Sequence, residues 1–157
     1  MFTPQELMQL AIDQARAGIA AGQSPFGCAV ALGDELLAVA HNSVWATTDI
    51  TAHAEICALR IACGAARAIH LDGATVATTC EPCPMCLAAL HWARVGTVYF
   101  GATIADAAAA GFNELPISAS EMIRRGGDRL QIIPGILADE CRELFQVWLR
   151  TPRHRAY

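Results

Sequence analysis

The sequence predicts an α/β fold, with a mixed β-sheet covered by helices on both faces. Three observations predict it. Two short apolar runs, Gly27 to Leu32 and Leu36 to Asn42, flank Gly33-Asp34-Glu35 and read as a β-hairpin. After the hairpin, strand-like runs alternate with helix-like ones, as in sheets whose strands are joined by covering helices. The chain has 157 residues, 54% hydrophobic and 17% charged, enough to bury a core without disulfide staples.

The elements follow in order. Thr3-Pro4-Gln5-Glu6 opens a helix: Thr3 can cap it, Pro4 suits the first helical position, and Glu6 can return a bond to the cap. Leu7, Leu10, Ala11, Ala15 and Ile19 form its apolar face, and Gly22 is its stop. Beyond the hairpin, Thr51 to about Ala62 is helical, Ala74 to Thr79 is a strand, Pro84 to Val95 is helical and Thr97 to Phe100 is a strand. Ala105 to Ala110 reads as a helical turn in a long connection through Gly111, Phe112 and Pro116. Ser118 to Arg125 is a helix, Leu130 to Ile133 a strand, and Ala138 to Arg150 a helix that Thr151-Pro152 breaks. No repeat, low-complexity tract or linker divides the chain, so residues 1–157 are expected to form one domain.

Composition narrows the function. All eleven basic residues are Arg, set against fifteen acidic ones for a net charge of -4. A net-acidic chain is a poor general nucleic-acid binder, although seven of the Arg fall between Arg124 and Arg155. No apolar run approaches the ~20 residues that a bilayer span needs. The first residues lack the basic-then-apolar pattern of a signal peptide, so a cytoplasmic protein without membrane attachment is expected. There, seven cysteines point to metal binding or catalysis before disulfides.

Two segments carry the chemistry: His53-Ala54-Glu55 and Cys80-Glu81-Pro82-Cys83-Pro84-Met85-Cys86. A lone Cys-x-x-Cys also fits a redox dithiol. Paired with His-x-Glu, each at a helix start, it matches the signature of zinc nucleobase deaminases. His53, Cys83 and Cys86 would supply three ligands and leave a fourth zinc position for water. Helix N-termini favour the two thiolates. Glu55 is then placed to carry protons and not to ligate. Residues i and i+2 do not share a helix face, so His53 and Glu55 can meet one metal only at the helix tip. Cys80 could close a structural four-ligand site, but it ends a strand. Cys28, Cys57, Cys63 and Cys141 lie on apolar patterns and read as core.

Taken with Pro25-Phe26-Gly27, Thr51-Ala52, His91-Trp92-Ala93-Arg94 and the Asp106 to Phe112 segment, these motifs resemble the cytidine-deaminase-like zinc superfamily. Within it they are most similar to the small bacterial guanine deaminases, from Ser24 to about Leu115. The resemblance implies a three-layer α/β/α fold around a mixed five-stranded sheet, with one Zn2+ per chain and Glu55 as catalytic residue. It implies a base pocket lined by Phe26, Asn42, Ala54, Trp92, Glu114 and Tyr157. It also implies a small-molecule nucleobase substrate, guanine going to xanthine and ammonia within purine metabolism, and a homodimer with exchanged C-terminal segments. Glu114 stands where the relatives usually have Asp. The tRNA adenosine deaminases share the metal motifs and a segment like Gly135 to Cys141. Deamination of tRNA adenosine or of cytosine and cytidine therefore remains an alternative, as does a non-catalytic zinc scaffold. Read without the resemblance, Asn42 is equally a strand-end turn former, Trp92 a helix-face residue, Glu114 a solvated loop acid and Tyr157 a frayed end.

Overall fold

The computed structural model describes residues 1–127 and 129–157. In chain order the elements are α1 (Pro4–Ala20), β1 (Gly27–Leu32), β2 (Glu35–His41), α2 (Val44–Thr47), α3 (Ala54–Ala66), β3 (Thr75–Cys80), α4 (Pro84–Trp92), β4 (Thr97–Ala102), α5 (Ile104–Ala109), α6 (Ala119–Gly126), β5 (Gln131–Ile133) and α7 (Ala138–Leu149). The sheet order is β2-β1-β3-β4-β5. β1 runs antiparallel to both its neighbours, whereas β3, β4 and β5 are parallel. The mixed five-stranded sheet is therefore the one expected.

Strand alternation divides the core into two layers. Val30, Val76 and Val98 face α3, α4 and α6, where they meet Ala54, Ala58, Leu87, Leu90 and Ala119. Ala29, Ala31, Ala77 and Ala102 face α1 and α7 and meet Leu7, Met8, Ile12, Leu144 and Trp148. This second face is lined by small residues, so its helices sit close to the strands. A Cβ on Gly27 would overlap the Ala11 carbonyl oxygen of α1, and one on Gly101 would overlap Sγ of Cys141 in α7.

Local chemistry sets the ends of the elements. The capping box at α1 is present: Thr3 Oγ1 accepts from the Glu6 amide at 3.2 Å, and Glu6 Oε2 accepts from the Thr3 amide at 2.8 Å. Most ends shift by a few residues from the sequence expectation, and three differences have a visible local cause. α3 begins at Ala54 and not Thr51, because the Thr51 amide and hydroxyl both donate to Asp49 Oδ1, at 2.8 and 2.6 Å, and hold a turn. α4 ends at Trp92, three residues before Val95, as Arg94 adopts a left-handed φ of 59°. The single turn α2 was not expected; the Asn42 side chain starts it by accepting from the Val44 amide at 3.1 Å. Among the described residues, no helix is long and apolar enough to cross a membrane.

The close seat of α7 is testable. Gly101→Ala should overpack the β4–α7 contact and cost about 1–3 kcal/mol. In a chain of this size that lowers Tm by roughly 2–4 °C per kcal/mol. Calorimetry showing an unchanged Tm would mean that α7 does not rest on β4 at this glycine.

Candidate active site

Two helix N-termini converge on one point. His53 is the N-cap of α3 and Cys83 the N-cap of α4, with Cys86 in the first turn of α4. Neither N-cap is the usual Ser, Thr, Asp or Asn, and neither side chain makes a capping hydrogen bond. Such a cap ordinarily contributes about 0.5–2 kcal/mol, so both helices give up local stability to free these side chains. Nδ1 of His53 lies 3.7 Å from Sγ of Cys83 and 3.5 Å from Sγ of Cys86. All three donor atoms lie within 4.8 Å of one another.

The donor set fits zinc. In a tetrahedron with Zn–S near ~2.3 Å and Zn–N near ~2.0–2.1 Å, nitrogen and sulfur ligands stand about 3.5 Å apart. Three protein donors leave one position open, as catalytic zinc sites do. Cys80 does not join them: its thiol is buried and donates to the Thr103 carbonyl at 3.4 Å. Cys28 and Cys141 are buried in the two core layers, and Cys57 and Cys63 pack against one of them.

Proton affinities at the cluster are strongly coupled. The Cys83 thiol is pushed down to about 4, chiefly because Cys86 hydrogen-bonds to its sulfur, while burial works against that and His53 assists. Cys86 is pushed far up, by its hydrogen bond to Cys83 and by burial. In the metal-free chain this favours one thiolate and one thiol at the site. Burial depresses the His53 imidazole, but its bond to Cys83 and the charge of Glu55 outweigh that, and its pKa is raised.

Glu55 is the second residue of α3 and only 6% exposed. Its Oε1 accepts from the Thr78 hydroxyl of β3 at 3.1 Å. Burial, then the charge of Cys83, raises its carboxyl pKa. Beside it lies a recess of about 20 Å3, bounded by Phe26, His53, Glu55, Cys83, Glu114 and Tyr157 among others. That volume suits about one water. A cavity of about 300 Å3 that shares the walls His53, Cys83, Glu114 and Tyr157 and is also lined by Phe112 adjoins it. Burial, and next the charge of Cys83, pushes the Glu114 carboxyl up to about 7.

The last residue of the chain, Tyr157, forms one wall of this cavity. The Tyr157 hydroxyl accepts from Asn42 Nδ2 at 2.6 Å, and its backbone oxygen accepts from the Asn113 amide at 2.9 Å. Its ring packs on the edge of Phe112 at 5.3 Å and lies 5.5 Å from the His53 ring. Trp45 Nε1 donates to the Arg155 carbonyl at 3.1 Å, and the Arg155 guanidinium stacks 3.7 Å over the Trp45 ring. The tail therefore rests on its own chain's site.

Of the residues expected in the pocket, Phe26, Asn42, Glu114 and Tyr157 come together here. Phe26 is wedged edge-on between Phe112 and Phe145. Ala54 and Trp92 are not among the residues that line the recess or the cavity. Ala54, the first residue of α3, is fully buried in the core. Trp92 ends α4, more than two turns from the Cys83 end, and is 76% exposed with its ring against His91. Thr78, Trp45 and Phe112 complete the site. A hydroxyl on a central, wholly buried strand was a usable signal for Thr78, since it must find a partner.

Comparison with known proteins accords with this geometry. The family model for the cytidine and deoxycytidylate deaminase zinc-binding region matches residues 1–102, and the chain belongs to that family. The guanine deaminase of Bacillus subtilis (strain 168) is 34% identical over 154 residues, covering 98% of each chain. The tRNA-specific adenosine deaminase of the same strain is 32% identical over 155 residues, covering 98% of this chain and 94% of that one. The structure of a guanine deaminase from Nitrosomonas europaea superposes with a TM-score of 0.86 at 29% identity, covering 94% of this chain and 85% of that one. Zinc is accordingly the metal of this protein.

Metal binding must displace the proton held between Cys83 and Cys86. Zinc affinity should thus rise with pH, by about tenfold per unit for each proton released, and more steeply where His53 is also protonated. Competition titrations against a chelator at several pH values measure this. A pH-independent affinity would mean that the two thiols are not both ligands.

Proposed function

We propose that this protein is a zinc-dependent aminohydrolase that converts guanine and water to xanthine and ammonia. The observation that carries this reading is the water-sized recess that touches Glu55 and two of the metal donors, His53 and Cys83, at once, next to a small cavity walled by Tyr157. His53, Cys83 and Cys86 would hold the zinc. When bound, it supplies the Lewis acidity that makes a water nucleophilic near neutral pH. Glu55 accepts a proton from the attacking water on its carboxylate. It returns that proton to the ring nitrogen beside carbon 2 and then assists the departing amine, so that water oxygen replaces nitrogen on that carbon. Thr78 holds the Glu55 carboxyl in place. Asn42, Glu114 and Tyr157 offer polar groups to the base edge, and Phe26 and Phe112 support them.

Guanine is favoured over tRNA adenosine by the seated tail. Three hydrogen bonds fix Trp45, Asn42 and Asn113 to Arg155 and Tyr157 and seat Tyr157 as one wall of the cavity of about 300 Å3. A free base fits beside such a wall, whereas a nucleotide within an RNA stem requires the mouth open. The net charge of -4 points the same way. The family resemblance adds a homodimer, in which a partner's tail would use the same three contacts if the segments are exchanged. A cytoplasmic place in purine metabolism goes with this substrate.

Glu55→Gln should retain fold and zinc but lose turnover by about 10²–10⁴-fold, the usual worth of a general acid–base group. Steady-state ammonia release from guanine measures it, and undiminished activity would remove Glu55 from the mechanism. Deleting Arg153 to Tyr157 should leave zinc content intact, raise KM and lower kcat together, since a closing element is lost. A screen of ammonia release across free bases, nucleosides and a tRNA anticodon stem tests the substrate. Robust tRNA adenosine or cytidine turnover without guanine turnover would overturn the reading.

A further inference from the structure

The loop that carries Glu114 runs between two helix starts, α5 at Ile104 and α6 at Ala119, and both starts are tied to one side chain. Glu81 Oε2 accepts from the Ile104 amide at 3.1 Å, and its Oε1 accepts from the Ala119 amide at 2.9 Å. Each amide belongs to the first residue of its helix and has no intrahelical partner. The two N-caps satisfy other amides: Thr103 Oγ1 accepts from Asp106, and Ser118 Oγ accepts from Glu121, both at 3.1 Å. Glu81 thus completes both helix starts at once, and its negative charge lies at the positive ends of both. Its own backbone is fixed, since the Glu81 amide donates to the Ala102 carbonyl at 2.8 Å. Glu81 also walls the recess beside Glu55, Cys83 and Glu114.

We infer that Glu81 is a positioning residue, a carboxylate clamp that holds α5 and α6 at a fixed separation and so sets where Phe112 and Glu114 stand in the base cavity. The inference rests on the proposed role of that cavity in binding the base. The geometry requires both carboxylate oxygens. The glutamine amide keeps one acceptor and turns an NH2 group toward the other N–H, which leaves that amide unpaired. Aspartate, one methylene shorter, does not span both.

The test uses the full-length, zinc-loaded protein. In Glu81→Gln, amide hydrogen exchange at Ile104 or Ala119 should quicken about tenfold or more, as expected when a hydrogen bond to a charged group is lost. Zinc content should stay at one per chain, and KM for guanine should rise about tenfold with a smaller change in kcat. Glu81→Asp should not rescue. A second variant approaches from the other side. Ala119→Pro removes one clamped N–H at a first helical position, where proline is tolerated. It leaves Glu81 itself in place and should raise KM in the same way, so it carries the test if Glu81→Gln does not fold. Unchanged exchange at both amides, or a kcat loss with KM unchanged, overturns the clamp. If the wild-type protein does not turn over guanine at all, the proposed substrate falls, while the exchange measurement still decides whether Glu81 holds the two helices.

Discussion

Everything at this site depends on one geometric constraint. His53 must meet two cysteines 30 and 33 residues further on within 4.8 Å, and it does so because α3 and α4 begin at the same place. Both helices pack on one face of the sheet, through Ala54, Ala58, Leu87 and Leu90. The sheet in turn is pressed from its other face by α1 and α7, whose approach Gly27 and Gly101 permit. A shift of either helix along the sheet would separate His53 from Cys83 and Cys86. The helix starts supply more than position. Their unpaired amides and dipoles favour the thiolates that zinc requires. The first turn of α3 also brings Glu55 inward beside the metal donors.

The metal-proximal part of this arrangement was legible in the sequence because its signals are local. The spacing from Cys83 to Cys86 spans one helical turn, Pro84 marks a helix start, and His53 with Glu55 lies within the first residues of another. The strand and helix pattern was also legible, since alternation and capping residues act over a few positions. The Thr3–Glu6 box and the glycine after α1 are where local chemistry placed them. The start of α3 moved where a side chain competed for the backbone, as Asp49 does with Thr51.

The remainder of the site has no local signature. Asn42 meets Tyr157 across 115 positions, Trp45 meets Arg155 across 110, and Glu55 meets Thr78 across 23. Nothing in the spacing of either partner announces the other; only the topology joins them. Trp92 shows the converse. The family resemblance makes it a pocket residue, whereas within its own chain α4 carries it away from the cavity at about 1.5 Å per residue. Glu81 sits inside the most conspicuous motif of the chain, yet its partners, Ile104 and Ala119, are 23 and 38 positions away.

The fold bears a cost for this chemistry, and the metal is what offsets it. Glu55 is buried with one hydroxyl partner, and its pKa is raised on folding. Between the unfolded and folded values the folded chain holds more of this proton than the unfolded chain does. Ionised Glu55 therefore opposes folding as pH rises through that interval. Two N-caps that do not cap add to the burden. A dication bound to His53, Cys83 and Cys86 acts on these terms together, because it attracts the neighbouring carboxylate and fixes the two helix starts that carry its ligands. On the proposed mechanism, the same carboxylate that opposes folding of the metal-free chain would be held ionised beside the metal and ready to take a proton. That mechanism couples stability and catalysis at this site through one charge, and accounts for a glutamate rather than a neutral residue in so buried a position.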